Sequence, residues 1–266
     1  MARKKNKSFR YLPWILVFLV FSTGVFLYGR NWWLERQAGM IRYEEFGIDI
    51  PGKYSVHGID VSRYQEAINW QSVKEMNVAG VQIAFAFMKA TEGISGNDSH
   101  FKRNWRKAKE AGIVRGAYHF FIPSKDGTMQ AANFIKTVTL NQGDLPPVLD
   151  VEQTNGVSKT ILQQRVKAFL SAAELAYGVK PIIYTNADFY KRYLEGVVED
   201  YPLWVAHYLQ PVAPRIERNW HFWQHSESGR VNGIAGKVDF NVFNGDSSVS
   251  VSYTHLRAHE TVLDLV

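Results

Sequence analysis

The segment Pro146-Pro147-Val148-Leu149-Asp150-Val151-Glu152 sets two carboxylates two residues apart in a β-rich run. Side chains alternate along a strand, so Asp150 and Glu152 share one face and Leu149 and Val151 the other, with about 6.6 Å of rise between the acids. In a cleft with little water, ionising one acid raises the proton affinity of its neighbour, so one stays protonated beside an anion. Glycosidic cleavage needs that combination: a proton donor for the leaving oxygen and a negative group for the oxocarbenium-like centre. Taken alone, the motif also reads as a solvated strand-end pair or a metal-binding pair. Sugar rings bind against flat apolar faces, and Tyr64, Tyr118, Tyr184, Trp204, Tyr208 and Trp223 are the aromatic candidates. Tyr118, Tyr184 and Tyr208 stand out because each falls at or near the end of a β-rich run.

Other chemistries lack their residues. The chain has no cysteine, which removes disulfides, thiolate metal sites and cysteine nucleophiles. His119, His207, His221 and His225 form no compact ligand pair on a helix, so no metal is expected. Neither a Gly-x-Ser-x-Gly elbow nor a phosphate-cradling Gly-x-x-x-x-Gly-Lys-Ser/Thr loop occurs, and no cofactor is expected.

The elements that must position the acids can be read from periodicity. Eight β-rich runs follow one another at 57–61, 81–91, 114–121, 146–152, 181–185, 203–208, 221–226 and 237–243. Helical stretches separate the earlier runs, such as Lys159 to Tyr177 with Ile161, Val166, Phe169, Leu170 and Ala173 along one face and Gly178 at its end. The last three runs lie too close together for full crossover helices. The pattern predicts an α/β fold, an irregular (β/α)-barrel of about five βα units closed by three further strands, with its reactive groups where strands end.

Five motifs in order extend the constellation: His57-Gly58-Ile59-Asp60-Val61-Ser62-Arg63-Tyr64-Gln65, Lys89-Ala90-Thr91-Glu92-Gly93, Gly116-Ala117-Tyr118-His119-Phe120, Asp150-Val151-Glu152 and Val238-Asp239-Phe240-Asn241. Their order and spacing over about residues 57–244 resemble the family 25 glycoside hydrolases, the Chalaropsis-type lysozymes or N-acetylmuramidases. The resemblance implies a peptidoglycan hydrolase that cleaves the β-1,4 bond between N-acetylmuramic acid and N-acetylglucosamine. It implies Glu152 as general acid, Asp150 as the carboxylate beside it, and Asp60 and Asp239 as two further acids lining the cleft. Lys89 and Glu92 join the aromatic residues as substrate-binding candidates. Whether Asp150 attacks the anomeric carbon or orients the substrate's 2-acetamido group to do so stays open, as does the stereochemistry. Salt bridging or strand-end capping is the competing role for Asp60 and Asp239. Gly47-Ile48-Asp49 repeats the Gly-Ile-Asp triplet, but only Asp60 is followed by Val-Ser-Arg-Tyr-Gln. A non-catalytic wall-binding barrel and a chitinase-like hydrolase are the alternatives. Retention of both Asp150 and Glu152 favours the enzyme.

Charge and hydropathy place the barrel. Lys and Arg total 31 against 25 Asp and Glu, but Arg3, Lys4, Lys5, Lys7, Arg10 and Arg30 fall in the first thirty residues, which hold no acid. The remainder is balanced, which argues against nucleic acid as a partner. Residues 1–10 read as a basic cytoplasmic segment, 11–28 as an uncharged signal anchor long enough to cross a bilayer, and 29–56 as a juxtamembrane stalk with Trp32 and Trp33 at the interface. No small-residue cleavage site ends the apolar run, so an uncleaved single-pass anchor is expected, with residues 57–246 as a catalytic barrel on the extracytoplasmic side. Peptidoglycan glycan strands and the membrane are then the expected partners of a monomer. Residues 247–266 match nothing the barrel needs. From Tyr253 they resemble translated adapter sequence, so this tail is expected to be foreign to the fold.

Overall fold

The computed structural model describes residues 11–37 and 39–245. The segments 1–10 and 247–266, each read separately above, lie outside the described residues. A long helix α1 (Leu12–Gln37) is followed by a hairpin of β1 (Met40–Tyr43) and β2 (Ile48–Pro51). The barrel then runs β3 (His57–Val61), α2 (Trp70–Glu75), β4 (Val81–Glu92), α3 (Phe101–Glu110), β5 (Val114–Phe120), α4 (Gly127–Thr137), β6 (Val148–Asp150), α5 (Lys159–Tyr177) and β7 (Ile182–Asn186). It ends with α6 (Ala187–Phe189), which widens to a π turn over Tyr190–Leu194, then β8 (Leu203–Ala206), β9 (Phe222–Gly229) and β10 (Val238–Phe243).

Neighbouring strands pair in chain order from β3 to β10, and β10 pairs with β3, so the sheet closes. Strands β3 to β9 run parallel. Only β10, joined to β9 as a hairpin, runs antiparallel to both its neighbours. The predicted five βα units and three closing strands are thus present. Helix α5 is set largely by local sequence: Ser158 caps its first turn by accepting from Ile161 N, Gly178 ends it at φ 69°, and Leu162, Val166, Phe169, Leu170 and Ala173 are its buried stripe, with Leu162 in the place expected for Ile161, which is exposed.

Alternation sorts the barrel wall into two faces. Phe85, Phe87, Val148, Ile182, Trp204 and Phe222 fill the inside, while Ile59, Ala86, Leu149, Ile183, Val205 and Phe240 pack outward beneath helices or loops. Two inward positions have no side chain for a steric reason. A Cβ on Gly58 would lie 2.4 Å from the Phe85 ring, and one on Gly116 would lie 2.4 Å from Phe87.

The reading of 29–56 as a stalk is corrected. Helix α1 continues past residue 28 to Gln37, and the chain then folds back as the β1–β2 hairpin. Phe46, Ile48 and Ile50 are buried, and Phe46 meets Phe240 edge to face at 5.2 Å. Arg230 N donates to Phe46 O at 2.9 Å, fixing the hairpin turn to the barrel. The hairpin lies against the outer face of β9 and β10, neither of which is followed by a crossover helix. Sequence periodicity could not show this, because a four-residue strand carries too little pattern to be told from a linker. Within α1, Pro13–Trp33 is apolar enough to cross a membrane and none of it is buried.

Candidate active site

Strand β6 ends at Asp150, whose side chain follows that of Val148 to the inner face, and Glu152 lies two residues on in the adjoining loop. Backbone bonds fix this exit: Phe121 N donates to Asp150 O and Val151 N to Tyr184 O, both at 2.9 Å. Asp150 is 5% exposed and Glu152 half-buried. Each side chain perturbs the other through a side-chain hydrogen bond, and among the described residues no N–H or O–H group donates to buried Asp150 Oδ1. Burial pushes Asp150 well above the ordinary carboxylate range, with the Glu152 charge adding to it and Lys89 opposing it. Burial also raises Glu152, with the bond to Asp150 opposing it and the Asp60 charge adding to it. Both carboxyls are therefore held above their ordinary range, the dry Asp150 further than Glu152, which lies nearer solvent.

A second acid pair forms where β3 meets β10. Asp60 and Asp239 stand opposite each other in register and hydrogen-bond through their side chains. Burial and the Asp60 charge push Asp239 up to about 9, so it is a neutral acid at pH 7. Sequence reasoning missed the residues around Asp60. Gln224 Nε2 donates to Asp60 Oδ2 at 2.8 Å and Asn241 Nδ2 donates to the same atom at 2.7 Å. Asn241 lies in the quoted Val-Asp-Phe-Asn motif and Gln224 in the β9 run, but an amide announces no chemistry by type or spacing. Asp49, the acid of the repeated triplet, is exposed on the hairpin beside Arg42 at 3.7 Å, away from this network.

The aromatic candidates separate into three groups. Tyr118, Tyr184 and Tyr208 converge on the acids: the charges of Asp60 and Asp150 raise Tyr118 and Tyr184, those of Asp239 and Asp60 raise Tyr208, and in all three burial is the larger cause. Tyr184 and Tyr208 donate their hydroxyls to Gln224 Oε1 at 2.8 and 2.5 Å. Tyr64 is exposed on the turn Arg63–Gln65 just beyond β3, with the Arg63 guanidinium 5.3 Å from its ring centre. Trp204 and Trp223 are not available as sugar platforms, which corrects the sequence expectation. Trp204 is 1% exposed, stacked on Phe87 inside the barrel with its Nε1 donating to Asn241 Oδ1, and Trp223 is buried outside the wall against Tyr54 and Trp220. Their strand positions put both rings below the rim, one on each face.

Lys89 and Glu92 pair at 2.6 Å at the end of β4, with the Lys89 ammonium 4.4 Å from the Phe120 ring centre. Phe120 thereby joins the cleft rim, a ring the sequence offered only as part of a motif. His119 faces outward: its Nδ1 meets Thr91 Oγ1 at 2.7 Å, its Nε2 meets Gln130 Oε1 at 3.2 Å, and burial lowers it to about 4. It is a neutral packing residue on the far side of the wall from the acids.

Chemically, the open end of the barrel brings together two acid pairs, the Lys89 cation and three tyrosines. Comparison with known proteins agrees with this geometry. The sequence profile described as Glycosyl hydrolases family 25 matches residues 59–234. The "Uncharacterized protein YegX" of Escherichia coli (strain K12) is 50% identical over 202 residues, covering 76% of this chain and 74% of its own length. "Lysozyme M1" of Streptomyces globisporus is 37% identical over 208 residues, 73% of this chain and 69% of its own. Among solved structures, a family 25 glycosyl hydrolase from Bacillus anthracis superimposes with a TM-score of 0.71 at 31% identity, over 80% of this chain and 100% of its own.

Proposed function

The chain belongs to glycoside hydrolase family 25, and we propose that in this peptidoglycan hydrolase of lysozyme type Glu152 and Asp150 cut the β-1,4 bond between N-acetylmuramic acid and N-acetylglucosamine. The observation that carries the assignment is the close pairing of buried Asp150 with half-buried Glu152 at the open end of the barrel. Glu152, the member nearer solvent, delivers the pair's proton to the leaving oxygen. Delivery leaves negative charge on the pair as positive charge develops at the anomeric carbon, so the charge that cost energy in the free enzyme stabilises the transition state. Retention is the outcome this assignment implies, because attack by Asp150 itself or by the 2-acetamido oxygen that it orients needs no water held between the two carboxyls. Asp60, Asp239, Tyr118, Tyr184 and Tyr208 line the sugar site, with Lys89, Glu92, Phe120 and Tyr64 around its rim.

The helix Pro13–Trp33 is the anchor of a monomer, and the basic residues before it keep the N-terminus inside, so the barrel faces the wall. The hydrolytic reading is tested by analysing products of the full chain in detergent. New muramic acid reducing ends in the β configuration support it. Glucosamine ends, initial α products or no release overturn it. N-terminal sequencing of membrane-extracted protein tests the anchor, which a mature chain beginning near residue 25 or later would refute.

A further inference from the structure

We propose that Gln224 and Asn241 are positioning residues that hold Asp60 as a fixed anion, so that the proton shared by Asp60 and Asp239 resides on Asp239. The inference rests on the cleft being the hydrolytic site. Asp60 Oδ2 accepts two N–H donors, from Gln224 at 2.8 Å and Asn241 at 2.7 Å, and these occupy both of its lone pairs. A proton on that oxygen would displace one donor.

The amides cannot turn round to accept instead. An indole N–H only donates, and Trp204 Nε1 lies 2.7 Å from Asn241 Oδ1, so the Asn241 oxygen must face the tryptophan and its nitrogen Asp60. Gln224 Oε1 collects the hydroxyls of Tyr184 and Tyr208, and turning this amide would set its oxygen against the Asp60 carboxylate. Gln224 and Asn241 are register partners across β9 and β10, so the sheet presents both nitrogens to one atom. The buried Trp204 and the tyrosines thus act on Asp60 through the amides.

The surroundings would otherwise favour protonating Asp60. It is 7% exposed and faces Asp239 from β10, Asp150 and Glu152 from the end of β6, Tyr118 from β5, Tyr184 from β7 and Tyr208 beyond β8. Glu227 acts on Asp239 and Tyr208, and the cation Lys89 acts on Asp150. Burial still holds Asp60 above the ordinary carboxylate range, and the hydrogen bonds from Asn241 and Gln224, followed by that from Asp239, are what draw it back towards its charged form. An anionic Asp60 in turn raises the proton affinity of Asp150 and Glu152, so the amides set the readiness of the general acid from one residue away.

The test is Gln224→Glu and, separately, Asn241→Asp in the full chain in detergent. Each substitute keeps an oxygen for its tyrosine or tryptophan donors but loses the N–H given to Asp60. A hydrogen bond to an ionised group is worth about one pKa unit or more, so in both variants the Asp60 midpoint in carboxyl ¹³C NMR should rise by at least about one unit. The acid limb of kcat against pH should rise with it, and kcat at the optimum should fall at least about tenfold with KM within about twofold. A variant that fails to fold is replaced by the other, since the two substitutions sit on different strands. Unchanged Asp60 midpoints overturn the inference, as does a rate loss equal at every pH. Native protein that releases no muramic acid ends would refute the hydrolytic reading, while the NMR titration still decides the state of Asp60.

Discussion

The inner and outer faces of the barrel wall are built by the same strands yet answer to different physics. On the inside of β3, β6, β9 and β10 stand the buried Asp60, Asp150, Gln224 and Asn241 and the half-buried Asp239, with Gln224 and Asn241 donating to Asp60. One residue away on the same strands, Ile59, Leu149, Trp223 and Phe240 turn outward into apolar contacts, with Phe46 of the hairpin seated on Phe240. Alternation lets one strand hold costly charge on one side and the packing that offsets it on the other. Damage to the inner face should therefore appear as lost rate, and damage to the outer face as lost stability.

The largest separation is expected from Glu152→Gln, which keeps shape but cannot act as an acid. A general acid contributes about 10²- to 10⁴-fold, so peptidoglycan turnover should fall at least a hundredfold with an unchanged thermal midpoint. Turnover within tenfold of native would break the assignment. The mirror experiment is Phe46→Ala on the outer side. Truncating a fully buried phenylalanine costs about 3–5 kcal/mol, a fall of the midpoint on the order of 10 °C, while kcat of the folded protein stays within about twofold. A midpoint unchanged by this substitution would restore the stalk reading of residues 29–56.

Asp239→Asn sharpens the comparison inside the cleft. Asp239 binds its proton more tightly folded than unfolded, so its contribution to stability is full below the unfolded value near 4 and is lost as pH rises towards the folded value of about 9. An amide stands in for the neutral acid without that loss, so the variant should match native stability near pH 4 and exceed it at pH 8. Thermal melts across that range check the sign, and a variant less stable at pH 8 than at pH 4, relative to native, would refute the proton assignment. The smallest effect belongs to the tail. Removing residues 247–266 should leave midpoint and rate unchanged within error, and a fall of several degrees would show that the tail packs, since the apolar burial it then lost would exceed the entropy of ordering it.

Much of this molecule was legible in the chain. The eight β-rich runs and the caps of α5 are local: alternation, a serine before a helix and a glycine after it act within a few residues. The Asp150/Glu152 pair was legible because acids at i and i+2 of an extended run fall on one face, although the strand itself ends at Asp150. Only tertiary structure could decide what depends on separate strands meeting. Asp60 finds Gln224 164 positions away and Asn241 181 positions away. Trp204 and Trp223 became packing residues because barrel closure put one inside the wall and the other outside, a distinction absent from a list of aromatics. The hairpin was invisible for the same reason. Phe46, Ile48 and Ile50 are buried because β9 and β10 leave an apolar outer face without a helix. Sequence set which groups could do chemistry, whereas the protonation each holds followed from burial and neighbours that closure of the sheet alone supplied.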